Sequence, residues 1–201
     1  MLKAGDRLLV ATHNGGKLEE IADLLAPFKV TVVGAGELGL PEPEETETTF
    51  VGNARLKAHA AARASGLAAL ADDSGLAVDA LGGAPGVFTA DWATVAGGRD
   101  FAVGMERVCR ELEAMDAPEP RRAQFCCTLV LARPDGSDQV FEGRAPGRLV
   151  WPGRGEEGHG FDPIFLPDGY EQTFGEMDRW EKNRLSHRAD AFKRLVAACF
   201  P

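Results

Sequence analysis

Apolar residues along this chain form two kinds of segment, short continuous runs and longer stripes with helical spacing. The short runs are closed by glycine, proline or small polar residues, as is typical of buried strands, and lie at residues 7–11, 30–33, 67–70 and 76–81. The stripes repeat apolar residues every three or four positions and lie at residues 17–25, 50–65, 99–115 and 187–196. This alternation predicts an α/β fold.

A hairpin is predicted in the second half of the chain. Residues 122–133 form a long strand-like run, residues 134–137 (Pro-Asp-Gly-Ser) are turn formers, and residues 139–144 return. An antiparallel hairpin added to alternating helices and strands predicts a mixed, twisted central sheet with helices on both faces.

The composition favours one globular domain covering residues 1–201. A net charge of −9 argues against a long nucleic-acid surface, which would normally be basic. No apolar run approaches the roughly 20 residues of a membrane span, and the first residues show no signal-peptide pattern. The four cysteines lack zinc-site spacing, which favours reduced thiols. We therefore expect a cytoplasmic protein with neither a membrane nor a nucleic acid as partner.

Two adjacent carboxylates, Asp72 and Asp73, follow the apolar run at 67–70 and precede Ser74-Gly75. A strand that ends here would place both at its carboxyl edge, where open α/β sheets bind ligands. Two carboxylates this close repel each other unless a positive group lies beside them, and Mg²⁺ is a suitable one. The alternative is a solvated turn, since aspartate, serine and glycine are ordinary turn residues.

The segment Thr12-His13-Asn14-Gly15-Gly16 connects the first strand to the first helix, and Lys17 follows it. Backbone N–H groups at a helix start, together with a lysine, favour an anion such as phosphate. A plain strand-to-helix turn is the alternative. The acidic run from Glu42 to Glu47 is ordinarily solvated, although it could supply one carboxylate to a metal.

Ser186 is expected to cap the last helix, which places His187 and Arg188 in its first turn. Cations there oppose the helix dipole, and such local costs are expected at functional sites. Lys182, just before them, strengthens the case for an anion or carbonyl ligand.

Four separated motifs together resemble one family, the inosine/xanthosine triphosphate pyrophosphatases. In chain order they are Thr12-His13-Asn14-Gly15-Gly16-Lys17; Thr49-Phe50-Val51-Gly52-Asn53-Ala54 with Lys57; Ala71-Asp72-Asp73-Ser74-Gly75-Leu76; and Gly160-Phe161-Asp162-Pro163 with Lys182 and Ser186-His187-Arg188. The resemblance extends from about residue 7 to residue 196. It implies Mg²⁺-dependent hydrolysis of a purine nucleoside triphosphate such as ITP, dITP or XTP to the monophosphate and pyrophosphate.

The resemblance also assigns roles to individual residues. Asp73 would be the general base, with Lys17 as the second catalytic group. The metal would be held by Asp73, Asp72 and Glu44 or its neighbour Glu45. The substrate-binding set would be Thr12, His13, Asn14, Gly15, Gly16, Lys17, Lys57, Ser74, His159, Gly160, Phe161, Asp162, Lys182, His187 and Arg188. The implied fold is an elongated α/β/α structure with two lobes around a central nucleotide-binding cleft, usually as a homodimer.

Two positions depart from the family pattern. Many relatives have an aromatic residue where His159 stands, to stack on the purine, and many have an acidic residue where Gly52 stands. The second departure could transfer a metal-binding carboxylate to the acidic run. Two other functions are kept as alternatives: a nucleotide-binding sensor that does not turn its ligand over, and a structural or interaction protein with chance motifs.

Overall fold

The computed structural model describes residues 2–200 as helices and strands in alternating order. The strands are β1 (Arg7–Val10), β2 (Thr31–Gly34), β3 (Ala68–Val78), β4 (Thr94–Val95), β5 (Gly98–Arg99), β6 (Arg122–Ala132), β7 (Asp138–Leu149) and β8 (Phe165–Pro167). The α-helices are α1 (Gly15–Leu25), α2 (Phe50–Ser65), α3 (Phe101–Ala114), α4 (Arg179–Leu185) and α5 (His187–Cys199).

Six of the strands form one mixed sheet in the order β2-β1-β3-β6-β7-β8. Strand β1 is parallel to both β2 and β3, whereas β7 is antiparallel to β8. Strands β4 and β5 form a separate antiparallel pair. The mixed sheet of an α/β fold, predicted from the chain's alternation and its hairpin, is therefore confirmed.

The chain divides into two compact units. Unit 1 comprises the described residues up to Asp73 together with residues 127–142 and 191–200, and unit 2 comprises residues 74–126 and 143–190. Strands β3, β6 and β7 continue from one unit into the other. The first boundary falls between Asp73 and Ser74, inside the motif with the two carboxylates.

Unit 1 packs helices against both faces of its part of the sheet. One apolar cluster joins α1 and α5 to the strands; its central members are Leu8, Val10, Ile21, Leu25, Leu70, Cys127, Leu129, Leu131, Phe192 and Leu195. The other cluster joins α2 to the strands; it contains Leu9, Ala35, Ala54, Ala58, Ala61, Ala62, Ala69, Ala71, Val130 and Ala132. The alanines of α2 let this helix lie close to the strands, which brings its polar residues near β3.

Unit 2 has its own apolar core, which is richer in aromatic rings. Helix α3 contributes Val108 and Leu112, and the rings of Phe125, Phe165 and Phe174 pack together. Ring centroids separated by 4.7 to 6.0 Å are in the range of favourable aromatic contacts. This core supports the segments that contain the last two sequence motifs.

The structure corrects the prediction that the strand ends at the two aspartates. Strand β3 is continuous from Ala68 to Val78, and the next residues, 79–81, form a short 3₁₀ helix. Both carboxylates therefore lie inside a strand and not in a loop. Serine and glycine can adopt extended backbone, and pairing within the sheet, where β3 lies between β1 and β6, decides the conformation.

The second strand of the hairpin is also longer than predicted. Strand β7 extends to Leu149, past the predicted end at Arg144, and alternates buried and exposed residues as a half-buried strand does. Among residues 2–200, no helix is long and apolar enough to span a membrane.

Candidate active site

Adjacent residues Asp72 and Asp73 point to opposite faces of β3. Side chains alternate along a strand, so Asp72 shares a face with Leu70, and Asp73 shares one with Ala69 and Ala71. Leu70 belongs to the cluster with α1, whereas both alanines belong to the cluster with α2. Although each aspartate is only 6% exposed, the two carboxylates belong to different surroundings.

Asp72 is paired with the lysine at the start of α1. Asn14 caps this helix, and its Oδ1 accepts the backbone N–H of Lys17 at 3.0 Å. The Lys17 ammonium donates a hydrogen bond to Asp72 Oδ1. The other carboxylate oxygen, Oδ2, accepts the thiol of Cys127 at an S···O distance of 3.4 Å. Asp72 is thus compensated by a cation and a neutral donor.

Asp73 faces the lysine of α2. Lys57 Nζ lies 3.7 Å from Asp73 Oδ1 and 2.5 Å from Glu45 Oε1. Asn53, one helical turn before Lys57, also hydrogen-bonds Asp73 through its side chain. Its Oδ1 accepts the backbone N–H of Glu47 at 3.0 Å, so Asn53 connects the acidic run to Asp73.

Burial raises the pKa of the Asp73 carboxyl to about 6, and this effect exceeds the lowering by the Lys57 ammonium. The neighbouring carboxylates of Glu45 and Asp72 add to the rise in pKa. For Lys57 itself, burial lowers the pKa, but attraction to the same three carboxylates outweighs burial and leaves it raised. A carboxylate with a pKa near neutrality is suited to general-base catalysis.

The acidic run brings Glu45, and not Glu44, to the lysine. Both glutamates are exposed, but Glu45 forms the ion pair with Lys57. Gly52 lies against Glu47: a Cβ added at Gly52 would be 2.7 Å from Glu47 Cβ. The space beside Gly52 is therefore occupied by the aliphatic part of Glu47, and the transfer of a metal-binding carboxylate to the acidic run stays a prediction.

Within residues 2–200, no group of three histidine, cysteine, aspartate or glutamate side chains is arranged to hold a metal ion. Asp72 and Asp73 do not converge, because they occupy opposite faces. Two carboxylates, Asp73 and Glu45, do converge on the Lys57 ammonium. Mg²⁺ is commonly bound by one or two carboxylates together with substrate phosphates, so this pair of hard oxygen donors fits that metal.

The first motif forms the turn before α1, as predicted. The hydroxyl oxygen of Thr12 accepts the N–H of Asn14 at 3.1 Å, and Gly15 and Gly16 form the exposed start of the helix. His13 is exposed, and it lines a pocket together with Lys57. Unit 1 therefore gathers Lys17, Lys57 and the start of α1 around the two carboxylates.

In unit 2, Asp162 organises the loop that precedes it. Its side chain is 4% exposed, and Oδ2 accepts both the Lys182 ammonium and the backbone N–H of His159. Gly158 approaches the same oxygen so closely that an added Cβ would lie 2.2 Å from it. Asp162 and Lys182 are therefore brought together, and their pair fixes the segment from Gly158 onwards.

The remaining predicted residues of unit 2 differ in accessibility. Phe161 is 1% exposed and meets Phe101 edge to face, so its ring is part of the core. His187 is 8% exposed and stacks on Phe125 with ring centroids 5.1 Å apart. The other predicted residues are at least partly accessible: Arg188, Ser74 and Gly160 are half-buried, and His159 is exposed.

Ser186 caps α5, because its Oγ accepts the N–H of Ala189 at 3.1 Å. Two residues at the carboxylates were absent from the predicted set, Asn53 and Cys127. Asn53 could have been found from its spacing, since it precedes Lys57 by four residues on the face of α2 that carries the alanines. Cys127 has no such signal, because its partner Asp72 is 55 residues away in the sequence.

Comparison with known proteins identifies the family. The family model described as the Ham1 family matches residues 8–198. The chain belongs to the Ham1 family. It is also similar to a Ruegeria pomeroyi protein named dITP/XTP pyrophosphatase, which is 68% identical over 98% of this chain and 96% of its own length.

Two further proteins match with similar coverage. A Rhodospirillum centenum protein, also named dITP/XTP pyrophosphatase, is 57% identical over 98% of this chain and 96% of its own length. The structure of a HAM1 protein from Coxiella burnetii superimposes with a TM-score of 0.90 at 36% identity, covering 96% of this chain and 98% of that one. The mixed sheet with flanking helices is therefore the fold of Ham1 proteins.

The unequal surroundings of the two aspartates predict opposite effects of isosteric substitutions. The pKa of Asp73 is raised, so its ionisation disfavours the folded state, and stability is lost as the pH rises from about 4 to about 6. In EDTA, the stability of Asp73→Asn relative to wild type should therefore increase by about 1–3 kcal/mol as the pH rises through this range. Thermal unfolding at pH 4.5 and 7.5 measures the difference.

Asp72→Asn is the matched control at pH 7.5. It removes the partner of Lys17 and should lower the stability by about 1–3 kcal/mol, since Lys17 keeps some solvent. A shared sign for the two variants, or a gain for Asp73→Asn that is independent of pH, would contradict the assignment.

Gly158→Ala tests whether Asp162 fixes its loop. Both Gly158 and Gly169 have positive φ, +78° and +83°, but only at Gly158 does an added Cβ meet other atoms. Gly169→Ala should cost about 1–2 kcal/mol from backbone strain alone. Gly158→Ala should cost about 3 kcal/mol or more, because it also disrupts a buried ion pair. Equal unfolding midpoints in urea for the two variants would show that Asp162 tolerates displacement.

Proposed function

We propose that this chain hydrolyses non-standard purine nucleoside triphosphates (ITP, dITP and XTP) to the monophosphate and pyrophosphate. The observation that carries the proposal is the buried carboxylate Asp73, whose raised pKa and neighbouring lysine suit a general base in phosphoryl chemistry. Membership of the Ham1 family supports the same activity, since the relatives described above are named dITP/XTP pyrophosphatases.

In this proposal, the triphosphate is held by groups of unit 1. Lys17 and Lys57 supply positive charge, and the N–H groups at the start of α1 supply donors that favour an anion. Thr12 and Asn14 shape that turn, and His13 lies at its exposed side. Charge neutralisation and in-line positioning provide most of the catalysis of phosphoryl transfer.

Asp73 takes a proton from the attacking water while the bridging oxygen between the α and β phosphates leaves with the pyrophosphate. Its raised pKa gives it useful basicity at neutral pH, and Asn53 and Lys57 orient its carboxylate. Asp73, with a glutamate of the acidic run, would hold Mg²⁺. When bound, the metal would polarise the phosphates. Glu45 is the better-placed glutamate, because it contacts Lys57, whose ammonium also lies 3.7 Å from Asp73 Oδ1.

The purine would be recognised by groups of unit 2. A carbonyl at position 6 accepts a hydrogen bond from Arg188 or His187, whereas the amino group of adenine would oppose their N–H donors. A mismatch of this kind costs about 1–3 kcal/mol, which gives about tenfold to hundredfold selection. Asp162 and Lys182 support the adjacent loop, and the exposed His159 is available to stack on the base.

The proposal also covers the location, assembly and partners of the enzyme. We infer a cytoplasmic enzyme of nucleotide metabolism that acts as a homodimer, as the resemblance implies. Neither a nucleic acid nor a membrane is needed as a partner for a small triphosphate substrate.

A panel of purine triphosphates tests the proposed reaction. With Mg²⁺, ITP, dITP and XTP should release pyrophosphate at least about tenfold faster than ATP, and EDTA should abolish the release. Pyrophosphate detection and chromatography of the monophosphate provide the measurement. Tight binding of dITP without release of pyrophosphate would favour the alternative function, a nucleotide-binding sensor.

Arg188→Ala tests recognition of the base. If Arg188 donates to the position-6 carbonyl, the ratio of kcat/KM for ITP to that for ATP should fall about tenfold. Arg184→Ala is the matched control, because Arg184 is exposed on the neighbouring helix α4. An unchanged ratio in Arg188→Ala would refute the proposed base contact while leaving the hydrolysis itself intact.

A further inference from the structure

Cys127 lies beneath the Lys17–Asp72 pair, in the middle of unit 1. It is on β6, is 1% exposed, and belongs to the apolar cluster that contains Leu70 and Leu129. Strand β6 is the neighbour of β3 in the sheet, so the thiol approaches Asp72 from the adjacent strand. No role was assigned to this residue by the sequence motifs.

The hydrogen bonds divide the two oxygens of Asp72 between two kinds of donor. Oδ1 accepts the Lys17 ammonium, and Oδ2 accepts the Cys127 thiol at 3.4 Å. The carboxylate is 3% exposed, so bulk water would not replace a hydrogen bond that it lost. A donor on each oxygen fixes the rotation of the carboxylate plane and hence the direction in which Oδ1 holds Lys17.

We propose that Cys127 is a positioning residue that orients Asp72, and through Asp72 the ammonium of Lys17. The inference deepens the proposed function, since it rests on Lys17 as a triphosphate-binding group. Cys127 itself touches neither substrate nor the reacting atoms. Its contribution is the S–H donor and not its nucleophilicity.

The competing explanation is that Cys127 only fills space. A buried cysteine often behaves as a small apolar residue, and this cluster offers a direct comparison. Cys199 belongs to the same cluster and is also 1% exposed, but its thiol donates to the neutral amide oxygen Gln139 Oε1, over a longer distance of 3.9 Å. Removing either sulfur leaves a similar small void, whereas only Cys127 donates to the carboxylate that holds Lys17.

The test uses four variants of the full chain: Cys127→Ala and Cys127→Val lack the donor, Cys127→Ser keeps one, and Cys199→Ala is the control. The first measurement is competitive acetylation of Lys17 by acetic anhydride, read by peptide mass spectrometry, which needs no turnover. Release of Lys17 from Asp72 should raise its labelling about three- to tenfold in Cys127→Ala and Cys127→Val, the effect of losing about one hydrogen bond. Cys127→Ser and Cys199→Ala should stay within about twofold of wild type.

The second measurement is a double-mutant cycle on dITP hydrolysis. Cys127→Ala should raise KM more than it lowers kcat, and it should have no further effect in an Asp72→Asn background, because the two act through one contact. Unchanged Lys17 labelling in Cys127→Ala, equal labelling in Cys199→Ala, or full additivity with Asp72→Asn would overturn the inference. Absence of dITP hydrolysis in the wild type would instead refute the proposed function, and the labelling result would still decide the role of Cys127.

Discussion

The alternation of side chains along β3 is the constraint on which the candidate site depends. Two buried carboxylates on one face of a strand would repel each other strongly, but consecutive residues face opposite sides. Asp72 therefore meets a lysine from α1 on one face, and Asp73 meets a lysine from α2 on the other. The helices that pack on the two faces of unit 1 thus each supply one of the compensating charges.

Compensation on the two faces is unequal, and the inequality fits the different roles proposed for the two aspartates. Asp72 has an ammonium and a thiol as donors, whereas Asp73 shares Lys57 with Glu45 and remains costly enough to ionise that its pKa rises to about 6. A base must be able to accept a proton, so fuller compensation of the Asp73 charge would reduce its basicity. Ionised Asp73 is thus expected to lower the stability of the folded state, because the surroundings that make it basic also disfavour its charge.

Local signals in the sequence predicted much of the fold. The predicted helix bounds, 50–65, match those of α2. The alanine stripe and the serine-glycine end act on the backbone of their own segment, so both signals are present in the local sequence. The continuity of β3 through Ser74 and Gly75 could not be predicted in this way. It depends on neighbouring strands that are distant in sequence, and a turn-forming composition yields to sheet pairing.

The motifs predicted which segments carry polar groups but not how those groups pair. The motif with Lys57 contains Asn53, yet its contact with Asp73 depends on how closely α2 lies to β3. Phe161 and His187 were predicted as substrate-binding residues, and the structure adds that their rings pack against Phe101 and Phe125. An aromatic residue in a motif has the same sequence signature whether it supports a loop or contacts a ligand.

In the proposed function, the ion pairs also shape the energetics of substrate binding. Lys17 and Lys57 are held by carboxylates, so a triphosphate must compete with Asp72 and with Glu45 for their ammonium groups. The same pairs already restrict the lysine side chains, whose ordering otherwise costs up to about 2 kcal/mol each. This competition lowers the affinity for any polyanion. A ligand that contacts both lysines, however, loses less binding energy to the ordering of their side chains. The proposed site would discriminate by geometry more than by charge, because a phosphate that contacts only one lysine does not regain the ion-pair energy that it displaces.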